Sequence, residues 1–80
     1  MDQTLKIVEY GETKNHYAVL VEKALMKNPE TKEWIDCVVY GQYKQVNEVG
    51  EYIEVPESER MIFVREYYDF WKKFSLCLDL

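Results

Sequence analysis

"HYAVLVEKALMKNPETKEWIDCVVYGQYK", residues 16–44, decides the fold. Its two halves are rich in β-branched and aromatic residues, which favour strands, and they flank the polar stretch KNPETK, residues 27–32. Asn28-Pro29 suits a type I turn, because proline presets φ at the first central position. A four-residue loop from Asn28 to Thr31 would set Lys27 opposite Lys32. Leu25 then meets Trp34, Val21 meets Val38 and Val19 meets Tyr40 on one face, and Lys23 falls opposite Asp36 as a favourable charged pair. The other face collects Ala24 with Ile35, Leu20 with Val39 and Glu22 with Cys37. Both faces are partly apolar, so the sheet must be covered or must bend strongly to close on itself.

Working outward, "TLKIVEYG", residues 4–11, alternates, with Leu5, Ile7 and Glu9 on one face and Lys6, Val8 and Tyr10 on the other. This reads as a strand followed by the polar connection GETKN. Towards the other end, "MIFV", residues 61–64, suits a strand or a helix interior. From Tyr67 the period turns helical: Tyr67, Phe70, Trp71, Phe74 and Leu78 share a stripe, with Asp69, Lys72 and Lys73 on the opposite side. A closing helix of about three turns is expected, its acidic residues early and its lysines late as the helix dipole favours. A competing reading runs one helix from Ser58 to Phe74, leaving residues 58–64 open between strand and helix.

The chain of 80 residues reads as a single domain, 1–80, and its 15% aromatic content supplies core area that so short a chain needs. The net charge is −5, with lysine and arginine dispersed. Direct nucleic-acid binding relies on clustered basic residues, so the expected partner is instead a protein with a basic surface. The opening lacks a secretory pattern and no apolar run reaches membrane-span length, so a cytoplasmic protein without membrane contact is expected. Cys37 and Cys77 sit in apolar runs and are expected reduced and buried, although a disulfide stays open should strands bring them together.

The densest charge lies in "EVGEYIEVPESE", residues 48–59, which has five glutamates and no basic residue. Tyr52 and Glu54 alternate with Glu51, Ile53 and Val55, and Pro56 cannot donate to a sheet ladder, so this reads as an edge strand. Two readings stand: solvated charge that keeps the edge from pairing with other molecules, or an acidic-aromatic surface for a basic partner. The second names Glu48, Glu51, Tyr52, Glu54, Glu57, Glu59, Tyr43 and Tyr68 as candidate contacts. Catalytic and metal motifs are absent from the local spacing. His16 has neither Cys37 nor Cys77 nearby in sequence, and the three glycines form no phosphate-cradling loop. No cofactor, metal or catalytic residue is therefore expected, and His16 is read as a surface residue at a strand start.

The motifs "PETKEWIDCVVYGQY", "GEYIEV" and "FVREYYDFWKKF" resemble those of small uncharacterised bacterial and phage domains built as short SH3-like barrels. Glu30, Thr31, Glu33, Val38, Tyr40, Val64, Arg65, Asp69, Phe70, Lys73 and Phe74 carry the likeness. The resemblance implies a mainly β, α+β fold: a bent antiparallel sheet of four or five strands, a half-barrel closed by a C-terminal helix. It assigns no activity. Two functional expectations follow, a non-enzymatic interaction module or an inhibitor from a phage or mobile element that imitates nucleic acid to block a host defence nuclease.

Overall fold

The computed structural model describes residues 6–79, with side chains through Cys77. In chain order these form β1 (Lys6–Tyr10), β2 (His16–Lys27), β3 (Trp34–Val46), β4 (Tyr52–Glu54), a 3₁₀ turn (Glu57–Glu59), β5 (Ile62–Glu66), α1 (Tyr67–Lys73) and β6 (Phe74–Asp79). The fold is mainly β: an open antiparallel sheet in the order β4-β3-β2-β1-β6, with β5 also paired to β3. It has six strands rather than four or five. Of the first predicted strand, Thr4 and Leu5 lie outside the described residues. No helix among the described residues is long and apolar enough to cross a membrane.

The hairpin of β2 and β3 forms as expected, but its register is corrected over most of its length. Val19 does face Tyr40, whereas Leu25 faces Asp36, Lys27 faces Trp34, Ala24 faces Cys37 and Val21 faces Val39. The turn is the cause. Asn28 N–H donates to the Glu33 carbonyl at 2.8 Å, and the Asn28 side chain accepts from Glu30 N–H at 2.9 Å. Lys32 supplies the left-handed residue at φ 66°. The loop therefore takes in Lys32 and Glu33, and irregularities between Val19 and Val21 and between Val21 and Ala24 absorb the difference. Such bulges also raise the local twist. Lys23 and Asp36 still pair at 3.8 Å, although they are not directly opposite.

The C-terminal segment departs further from its predicted form. Residues 62–66 are extended and pair with β3, so the long helix from Ser58 does not form. Glu66 opens α1 by accepting hydrogen bonds from Tyr68 N–H at 2.9 Å and Asp69 N–H at 3.1 Å. The helix stops at Lys73, and Phe74 is already extended at φ −116° and ψ 143°. The next residues include serine and cysteine, which are poor helix formers, and β1 would otherwise present a bare edge to solvent. Strand pairing of β6 with β1 satisfies that edge and ends the helix a turn early. Leu78 is thus a strand residue opposite Ile7 rather than part of the helical stripe.

The rest of the stripe packs inward. Val8, Val19, Val38, Tyr40, Phe70 and Phe74 form the core, with Tyr10, Tyr17, Phe63, Tyr67 and Trp71 packed against it. Phe70 and Phe74 stack at 4.3 Å, and the Tyr40 ring lies 5.0 Å from each. Arg65 Nε donates to the Tyr40 hydroxyl at 3.2 Å and Nη1 to Asp69 at 2.8 Å, satisfying a polar tip at the core margin. These bonds push the Arg65 pKa up and, with Lys73, hold the Asp69 carboxyl below its ordinary value.

Candidate functional site

Strand alternation assigns the two faces of the sheet. Val8, Val38 and Tyr40 point to the core beneath α1, so Ile7, Val39 and Gly41 point the other way. Across the sheet Ile7 is registered with Ala18, Ala18 with Gly41, and Gly41 with Ile62. This outer row runs from a buried isoleucine to an open one. Leu20, Ile62 and Val64 are 51%, 64% and 53% exposed, although each lies in or beside the centre of the sheet. Ala18, Leu20, Gly41 and Ile62 form the floor of a groove of about 300 Å³, whose rim carries Glu57 and Arg60.

The acidic segment borders that groove. Asn47 builds its turn: the side chain accepts from Val49 N–H at 3.0 Å and Glu51 N–H at 2.9 Å, and Gly50 takes the left-handed φ of 84°. Glu48 sits in this turn, Glu51 leads into β4, and Glu57 and Glu59 lie on the exposed 3₁₀ turn. β4 is an edge strand, as its alternation and following proline imply. Glu54 approaches Arg60 at 3.7 Å, while Arg60 Nε donates to the Val55 carbonyl at 2.8 Å and its guanidinium covers the Tyr43 ring. Among the described residues, Glu48, Glu51, Glu57 and Glu59 join no ion pair. Tyr68 is 71% exposed, but it projects from α1 on the covered side of the sheet. Tyr43 lies with Lys44 and Arg60 beside the acidic segment, Tyr52 packs on His16 and reaches Glu9, and Tyr68 stands apart on α1.

Tyr52 introduces a second cluster, which local sequence spacing did not show. Its ring stacks on His16 at 4.2 Å, and its hydroxyl lies 3.4 Å from Glu9 Oε1. Glu9 and His16 are direct cross-strand partners on β1 and β2. His16 Nε2 lies 3.4 Å from Glu9 Oε1 and 4.0 Å from Cys77 Sγ. Cys77 was expected to be buried and is exposed instead. It falls at the register irregularity between Ile7–Leu78 and Val8–Leu76, where an extra residue leaves the ladder. Burial and the nearby Glu9 push its thiol pKa up, and the same two causes raise that of Tyr52. Cys37, by contrast, is fully buried, and both cysteines are free thiols.

Comparison with protein-family models, curated proteins and solved structures returns no match. The functional reading therefore rests on the residues themselves. One signal for the second cluster was available: Glu9 and His16 flank a short polar turn at positions that a tight hairpin sets opposite each other. Cys77 gave no such signal, because its segment reads as the end of a helix.

Proposed function

We propose that this chain is a non-enzymatic, cytoplasmic interaction module whose outer sheet face and acidic border engage a basic protein partner. The observation that carries the proposal is the open apolar face: Leu20, Ile62 and Val64 stand in solvent while the same sheet buries a full aromatic core on its other side. Contiguous exposed apolar surface rimmed by polar groups marks interaction sites. The neighbouring acidic segment supplies the charge preference. Glu57 stands on the rim beside Arg60, and Glu48, Glu51 and Glu59 are solvent-facing carboxylates of the adjoining segment that favour a basic partner by steering as well as by contact. The bent hairpin, carrying strands on both sides beneath α1, supports reading the scaffold as an SH3-like half-barrel.

The nucleic-acid-mimic alternative has less support. Its carboxylates should run in a row with little apolar area between them, whereas here Ile53, Val55 and the floor of the groove intervene. Two variants test the proposal on whichever partner the wild-type chain captures. Changing Glu48, Glu51, Glu57 and Glu59 to Gln is expected to leave folding intact, because exposed charges contribute little to stability. Association should slow, and the difference from wild type should shrink as salt rises. Ile62→Lys is expected to abolish capture at any salt. Unchanged association by both variants would overturn the proposal.

A further inference from the structure

Glu9, His16 and Cys77 come from three neighbouring strands, β1, β2 and β6, and their ligand atoms all lie within 4.8 Å of one another. A carboxylate, an imidazole and a thiol so placed could serve either a nucleophilic relay or a cation. The geometry separates the two. In a relay the imidazole uses one nitrogen for the nucleophile and the other for the carboxylate that orients it. Here Glu9 Oε1 and Cys77 Sγ approach the same nitrogen, Nε2, at 3.4 Å and 4.0 Å. Three donor atoms converge on a common space beside that nitrogen, as ligands do around a metal.

The distances identify the kind of metal. Tetrahedral zinc with bonds of about 2.0–2.1 Å to nitrogen, 2.0–2.2 Å to oxygen and 2.3 Å to sulfur sets N···O edges near 3.4 Å and N···S edges near 3.6 Å. The N···O separation of 3.4 Å already matches, the N···S separation of 4.0 Å is a few tenths of an ångström long, and the O···S pair, within 4.8 Å, must close by up to about 1 Å from the ~3.6 Å that zinc sets. Cys77 is exposed at an irregular point of the ladder and holds only a long 3.8 Å hydrogen bond to the Ser75 carbonyl, which a rotation of its side chain towards Glu9 and His16 would give up. A mixed N, O and S set disfavours magnesium and calcium, which take oxygen ligands, and suits zinc. We propose that Glu9, His16 and Cys77 bind one zinc-class divalent ion, leaving its fourth position open.

The surroundings are built to hold such a site. Glu9 and His16 are fixed opposite each other by the β1–β2 ladder. Tyr52 holds the imidazole plane by stacking, and its hydroxyl lies beside Glu9 Oε1. Lys14 stands 3.9 Å from the other oxygen, Oε2, and so leaves Oε1 to the metal. Outer partners that orient ligands in this way are usual in metal sites. The ion would fasten β6 to β1 and β2. This inference is independent of the outer-face proposal, since it predicts metal binding by the chain alone.

Cobalt(II) titration of the full chain tests it, because a cobalt–thiolate bond gives a charge-transfer absorption that water or carboxylate ligands do not. The expected result is one equivalent bound per chain, with that band and tetrahedral visible bands, all displaced by zinc. Cys77→Ser should abolish the charge-transfer band and His16→Gln should weaken binding, each with far-UV circular dichroism unchanged, while Cys37→Ser keeps the full spectrum. If a variant fails to fold, a zinc-dependent rise in the melting temperature of the wild type, lost on adding chelator, carries the test. Absence of the band in wild type, its persistence in Cys77→Ser, or one metal per two chains would overturn the proposal.

Discussion

The two faces of the sheet are made from the same strands and meet opposite fates. On one, Val8, Val38 and Tyr40 lie beneath Phe70 and Phe74 and are buried. On the other, Ile7 and Cys37 are buried, but Leu20, Ile62 and Val64 remain largely exposed. Composition does not account for the difference, because β-branched and apolar residues occupy both. Supply does. The described residues hold one α-helix, of seven residues, and it covers one face. A sheet that keeps apolar residues on a face its own chain covers only in part is suited to being covered there by something else.

The comparison breaks most completely if the covered face loses its lid. Truncation after Arg65 removes α1 and β6, and with them Phe70 and Phe74. Each buried ring is worth about 3–5 kcal/mol, against a total stability of about 5–15 kcal/mol for ordinary domains. The truncated chain is expected to show no cooperative melting transition by circular dichroism.

A matched pair of substitutions sharpens the contrast at single residues. Phe70→Ala should cost about 3–5 kcal/mol in urea denaturation, as loss of a fully buried ring does. Ile62→Thr on the outer face should stay within about 0.5 kcal/mol, because exposed positions outside special contacts rarely matter more. Equal costs at the two positions would mean that the outer face is covered in solution.

The smallest expected effect lies at the margin of the core. Arg65 and Lys73 hold Asp69 below its ordinary pKa. A carboxylate whose folded pKa is lowered stabilises the protein above its unfolded pKa, and the contribution is lost as pH falls through the folded value. Asp69→Asn should therefore lower the denaturation midpoint slightly at neutral pH. The difference from wild type should vanish in acid, below the usual aspartate range of about 3.9.

These contrasts also show what the sequence made legible. Alternation located β1 to β4, and the glutamates with Pro56 marked the edge strand correctly. The hairpin register was readable only near Val19 and Tyr40, because the turn at Asn28 and the bulges beyond Val19 depend on backbone geometry that side-chain pattern does not record. Phe74 hid the last strand. It completes the helical spacing from Phe70 and also begins the alternation of β6, and the demand that decided between them, an unpaired edge on β1, arises at Tyr10, near the other end of the chain. The acidic candidates were visible as composition. The Glu9–His16–Cys77 cluster was not, since it exists only once β6 is a strand.

Carbene footprinting of the chain, free and then bound to its captured partner, tests the asymmetry of the two faces most directly. In the free protein Leu20, Ile62 and Val64 should label heavily while Val8, Val38 and Phe70 stay protected, and binding should remove the label from the outer set. Outer-face labelling as low as that of the core in the free chain, or unchanged after binding, would contradict a face held open for a partner.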